Sequence, residues 1–306
     1  MSKIKVVVVF YGLSFLYLSL LSAQTPANVK PLSAKSDENW KIRWDRSDDF
    51  NGTAVDWKKW HRDPENFGAW IWNNDKNASV SDGVLSLTLR RVEPTESEKK
   101  VATPYRSAML KSYAKGNYGY YEARIKAAPL FPGVSPAFWL YSSIDDSILK
   151  PGAVRYSEVD VVELTQRGDQ NAGNVKISDH NLHTILSNGK PGVPGRDWRR
   201  PHDKRYFEAQ AIEYVASFDP RDDFHTYGCR VGKDEIIWYV DGVEIGRKKN
   251  EHWHRKMNVA LSLGLRAPYA VFRQNRLVTN PDLKVAEAAF PTAMEVDYVR
   301  VWELVP

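Results

Sequence analysis

Apolar residues in this chain recur at every second position, segment after segment, and nowhere hold a helical period for long. Gly83-Val-Leu-Ser-Leu-Thr-Leu89 alternates in this way, as do Gly119–Ile125 and Glu235–Val240. Successive side chains of a strand point to opposite faces, so the pattern describes strands with one buried face. Asp241-Gly242 stands between Ile236–Val240 and Val243–Gly246, a strong hairpin signal. Many short strands punctuated by Gly and Pro predict an all-β sandwich or barrel. A chain of 306 residues suits one large β domain with a sizeable core. It shows no internal repeat, low-complexity tract or second domain, and charged runs such as Glu96–Lys100 read as solvated loops.

One predicted strand carries an unusual load. The run Ser157-Glu-Val-Asp-Val-Val-Glu-Leu-Thr-Gln166 sets Glu158, Asp160 and Glu163 among valines. Valine favours a pleated, half-buried surface. Alternation puts Glu158 and Asp160 on one face and Glu163 on the other. A β-bulge at Val161-Val162 would add one residue and return Glu163 to the first face. Three carboxylates would then stand in a row. Like charges that close push their pKa values apart, so one acid stays protonated while another is ionised. Glycoside hydrolysis by paired carboxylates needs that division of labour.

The pattern Glu158-x-Asp160-x-x-Glu163 resembles the active-site strand of glycoside hydrolase family 16. The segments Tyr118–Lys126, Pro136–Tyr141, Asp223–Gly228, Ile237–Val243 and Met294–Trp302 resemble that family's strands, in the expected order. Within the family, Ser157–Gln166, Trp253–Val259 and Leu261–Pro268 are most similar to the members that act on kappa-carrageenan. The resemblance covers roughly Trp40 to Val305. It implies a jelly-roll β-sandwich of two antiparallel sheets, with a concave substrate cleft, over 40–306. It also implies a retaining mechanism: Glu158 as nucleophile, Glu163 as acid and then base, and Asp160 between them. A related galactan hydrolase, acting on agar, porphyran, furcellaran or beta-carrageenan, remains an alternative. So does a non-catalytic carbohydrate-binding module, though such a module has no need of three aligned carboxylates.

Residues 1–23 read as a secretory signal, with Lys3 and Lys5 before the apolar run Val6–Leu21. Secretion, or export to a periplasm, is therefore expected, without stable membrane insertion. Gln24 to Asn39 is polar, with Pro26 and Pro31, and reads as a flexible leader. The formal net charge is +5, of which Lys3 and Lys5 supply two. Such a mild excess favours an acidic partner only where the cations cluster. No nucleic-acid motif accompanies it. Cys229 is the one cysteine, so an intrachain disulfide is excluded, and it reads as a small buried hydrophobe. A monomer is expected.

Sugar rings present apolar faces, and 11 tryptophans are available to stack on them. Trp139 resembles the family's stacking tryptophan beside the reacting sugar. Trp72 and Trp198 are further platform candidates, whereas Trp44, Trp238 and Trp302 read as core. For a sulfated galactan, Arg266 resembles the family's sulfate-binding arginine, since a guanidinium pairs two oxygens at once. His183 is a second candidate for a hydroxyl or a sulfate. The basic loop Arg196, Arg199, Arg200, Lys204 and Arg205 surrounds Trp198 and Tyr206, and Arg196 is its leading sulfate candidate. Neither His180/His183 nor His252/His254 has a catalytic zinc spacing, and no cofactor is required. The resemblance also implies a site for a structural calcium, not a catalytic one, for which Asp49 and Asp297 are the candidates.

Overall fold

The structure is a computed structural model. It describes residues 29–66, 68–93, 103–165, 174–273, 276–280, 283 and 289–305. The expected signal at 1–23, the run Glu96–Lys100 and Gln166 lie outside the described residues.

The alternating segments form strands where alternation predicts them. Val84–Arg91 buries Leu85, Leu87 and Leu89 and turns the residues between them outward. Glu235–Val240 pairs with Val243–Lys249 through a two-residue turn. Asp241 and Gly242 there have φ of 48° and 78°, the doubly positive pair that a tight hairpin requires. The described helices are single turns.

Among the described residues the strands assemble into two large sheets. The seven-stranded sheet runs Arg196–Arg199, Ile177–Ser187, Val154–Leu164, Val134–Tyr141, Met257–Leu265, Met109–Gly116, and Ala211–Val215 also pairs with Ile177–Ser187. The ten-stranded sheet has Gly119–Lys126 and Thr292–Leu304 at its middle. The core lies between them, where Leu85, Leu87 and Val299 from one sheet join Phe138, Val159 and Leu261 from the other. Burying each such side chain contributes about 1.5–3 kcal/mol. The result is an all-β jelly-roll sandwich.

Three expectations change. Ile71–Trp72 pairs with Tyr105–Ser107 in parallel, so the ten-stranded sheet is not wholly antiparallel. Ala270–Arg273 and Arg276–Thr279 form a small separate sheet. The described part of the polar leader is docked: Leu32 N donates to Glu122 Oε2 at 3.0 Å, and Trp302 Nε1 donates to the Val29 carbonyl at 2.7 Å. Val29 and Ala34 pack there on Trp40, Tyr120 and Trp302. Leader polarity is thus met by a buried aromatic cluster and a buried carboxyl. Cys229 is buried, as expected.

Candidate active site

Val154–Leu164 lies between Val134–Tyr141 and Ile177–Ser187, with core packing beneath it. Glu158 stands opposite Tyr141, Asp160 opposite Trp139, and Glu163 opposite Ala137. Across this stretch Val154–Leu164 has one residue more than its neighbour, because the register skips Val161 between Asp160 and Val162. It has the same one-residue excess over Ile177–Ser187, the strand on its other side. The bulge therefore exists where the carboxylate spacing requires it. Val161 and Val162 are both buried, although adjacent.

A bulge disrupts the ladder locally, and its backbone groups need other partners. Two buried side chains supply them. Trp238 Nε1, from the opposite sheet, donates to the Asp160 carbonyl at 2.9 Å. His180 Nδ1 lies 2.6 Å from the Val161 carbonyl, and its Nε2 lies 2.9 Å from Ser178 Oγ. A carbonyl only accepts, so Nδ1 carries the proton. Burial pulls the His180 pKa down to about 4, which keeps the ring neutral in that tautomer.

The three carboxylates have distinct surroundings. Glu158 accepts a short hydrogen bond from Tyr156 Oη, and Glu158 Oε1 lies 3.5 Å from His183 Nε2. Asp160 is buried, with Oδ2 at 3.3 Å from the same His183 nitrogen. Burial pushes the Asp160 carboxyl well above the usual range, and the charges of Glu158 and Glu163 add to this. Burial would pull His183 down, but the carboxylates of Glu158, Asp160 and Glu163 outweigh it and hold its pKa at about 9. Glu163 accepts from Arg266 Nη2 at 2.9 Å and from Asn181 Nδ2 at 3.1 Å.

Among the described residues, Glu158, Asp160 and His183 are the one group that gathers three metal-type ligand atoms, within 4.8 Å of one another. A protonated imidazole already answers these carboxylates, and its charge opposes a cation. Among the described residues, Asp49 and Asp297 belong to no group of three metal-type ligands. Asp49 accepts from Arg300 and Asp297 from Arg124.

Trp139 stands on the carboxylate face, its ring stacked on Tyr141 at 4.4 Å and its Nε1 donating to Ser262 Oγ. Trp198 is 37% exposed and sits level with Tyr156 across Ile185, with ring centres 6.1 Å apart. Arg200 covers its ring at 4.5 Å. Trp72 is corrected. It is only 4% exposed and packs edge-on against Trp70 at 5.3 Å. Trp70 is the indole that closes on Gly264, where an added Cβ would meet it at 3.0 Å and Arg266 Nη1 at 3.3 Å. Arg196, the leading sulfate candidate of the basic loop, holds Asp146 through Nε at 2.9 Å and Nη2 at 2.5 Å. Trp44, expected in the core, is 43% exposed, whereas Trp238 and Trp302 are buried.

Tyr156, Tyr141 and Asn181 complete the constellation, and the sequence reading passed over them. Counting back by two from Glu158 reaches Tyr156, and counting back by two from His183 reaches Asn181. Period-two counting alone would have put both on the carboxylate face.

Residues 40–304 match the family described as "Beta-porphyranase A-D, GH16 domain". The chain belongs to glycoside hydrolase family 16. It is a glycoside hydrolase. It is 47% identical over 301 residues to the kappa-carrageenase of Pseudoalteromonas carrageenovora, across 95% of this chain and 71% of that protein. The crystal structure of that carrageenase with an oligotetrasaccharide of kappa-carrageenan superimposes with a TM-score of 0.78 at 48% identity, covering 90% of this chain and 99% of the other. The kappa-carrageenase zobellia_236 of Zobellia galactanivorans gives 0.80 at 42% identity, covering 90% and 100%.

Proposed function

We propose that this family 16 enzyme is a secreted endo-hydrolase of kappa-carrageenan. It cleaves the β-1,4 bond between a sulfated galactose and an anhydrogalactose, with retention. The observation that carries this reading is the bulged strand, with three carboxylates on one face and Arg266 in contact with the last of them. The near-half identity to a kappa-carrageenase over almost the whole chain supports the substrate class, and the apolar run Val6–Leu21 supports export.

In the reaction Glu158 attacks the anomeric carbon, and the glycosidic C–O bond breaks. Glu163 gives its proton to the departing oxygen. Glu163 then takes a proton from water, the water oxygen bonds to the anomeric carbon, and Glu158 leaves. Tyr156 and His183 hold Glu158 in line by hydrogen bond and charge. Asp160, coupled to His183 on the same face, adjusts the charge between the two working acids. Trp139 offers the sugar an apolar face. Arg266 binds the sulfate ester beside the scissile bond.

A second reading, porphyran hydrolysis, is favoured by the name of the matching family description. Reducing-end release from purified kappa-carrageenan, furcellaran, beta-carrageenan, porphyran and agarose separates the two. The proposal expects the fastest release from kappa-carrageenan. Faster release from porphyran or agarose overturns the substrate assignment and leaves the glycosidase chemistry in place.

A further inference from the structure

A second cavity, of about 370 Å³, lies away from the carboxylates. Strand alternation explains its position. Trp198 faces the side of Tyr156, so Arg199, the next residue, points to the other face of the same strand. There it meets Tyr206, Gln210, Lys248, His252 and Trp253, and the carboxylate residues Glu208 and Glu251 also line the cavity. The volume is in the range of sites that bind a small ligand.

The lining has a definite chemistry. Lys248 Nζ donates to the Glu208 carbonyl at 2.6 Å and, among the described residues, has no carboxylate within ion-pair distance. Burial pulls its pKa down, and the charge of Glu208 offsets this only in part. Arg199 bonds Asp197 through Nε at 3.2 Å, and its guanidinium lies over the Tyr206 ring at 5.3 Å. The neighbouring Lys249 and Arg247 are answered by Glu251, Glu235 and Glu244. Independently of these charges, Gln210 is 3% exposed, and its Oε1 is buried without a hydrogen-bond partner. Its Nε2 already donates to the Arg199 carbonyl at 3.4 Å. An orphaned buried acceptor carries a cost that a hydroxyl donor would remove. The cavity thus combines an ammonium with no carboxylate at ion-pair distance among the described residues, though Glu208 acts on it from further off, and an unsatisfied acceptor for a hydroxyl.

We infer that this cavity is a second binding site for a sulfated sugar unit, separate from the catalytic cleft. The inference rests on the kappa-carrageenan reading. The sulfate ester meets Lys248 and Arg199, and a ring hydroxyl donates to Gln210 Oε1. The site sits one hydrogen bond from the catalytic sheet, since Trp253 Nε1 donates to the His183 carbonyl at 2.9 Å. Two sites on one enzyme hold a long polymer more firmly than either alone, while a short chain occupies them separately.

The test is calorimetric titration of the Glu158→Gln protein with a kappa-carrageenan tetrasaccharide. Two molecules bound per chain are expected. Adding Lys248→Glu should leave one, in the cleft. In the otherwise native enzyme, Lys248→Gln should raise KM on the polymer by about tenfold or more and leave kcat/KM on the tetrasaccharide unchanged. One molecule per chain, unaffected by Lys248→Glu, overturns the second site and leaves the proposed substrate standing. Two molecules that both survive Lys248→Glu place the second site elsewhere and also overturn it. No binding at all removes both the second site and the kappa-carrageenan reading.

Discussion

Arg266 Nη2 lies 2.9 Å from Oε1 of Glu163. The residue assigned to the sulfate therefore touches the residue assigned to proton transfer. Under the proposed function, a sulfate ester and the Glu163 carboxylate would draw on one guanidinium, which ties substrate binding to the acid. Arg266→Ala should lower kcat/KM on kappa-carrageenan by about 10- to 100-fold, the loss expected for a hydrogen bond to a charged group. Arg266→Lys should recover only part of it, since an ammonium lacks the two-pronged contact. On a desulfated chain the loss should be smaller but present, through Glu163. Steady-state kinetics on the two substrates decide this. Equal losses on both would mean that Arg266 serves Glu163 alone.

His183 carries a pH dependence with a definite sign. Folding raises its pKa from 6.5 to about 9. Its protonated form therefore stabilises the fold fully below pH 6.5, and that contribution fades as pH rises through about 9. Denaturation midpoints of the native protein and of His183→Gln should differ most near pH 6 and converge by about pH 9.5. The alkaline limb of kcat should also move in the variant, because Glu158 and Asp160 lose the cation between them. A constant difference in stability across this window would contradict a protonated His183 held among these carboxylates.

The bulge is braced from the opposite sheet, so Trp238→Phe should be felt at the active site. The variant keeps an aromatic ring but loses the donor to the Asp160 carbonyl. A buried carbonyl left without its partner costs about 1–3 kcal/mol. Unfolding titrations should show that loss, and kcat should fall with little change in KM. Lost stability with kcat intact would show that the bulge holds its carboxylates without the brace.

Much of this was readable because period-two alternation is local. The strands, the Asp241-Gly242 turn and the need for a bulge between Asp160 and Glu163 all follow from neighbouring residues. The bulge itself was legible only as a requirement of the carboxylate spacing. Long-range pairings were not legible. Arg196 meets Asp146 across 50 residues of sequence, so its charge looked available for sulfate. Trp72 looked like a platform until the parallel pairing with Tyr105–Ser107 and the packing on Trp70 put it in the core. The leader looked flexible because its partners, Glu122 and Trp302, come from strands far along the chain.

The central claim is that Glu158 and Glu163 perform the chemistry. Turnover of Glu158→Gln and Glu163→Gln on kappa-carrageenan, with folding checked by circular dichroism, tests it most directly. Each change removes a covalent or proton-transfer step while keeping the size of the side chain, so each variant should fold and lose at least about a thousandfold in kcat. Near-native turnover by either folded variant, with the same products, would contradict the account.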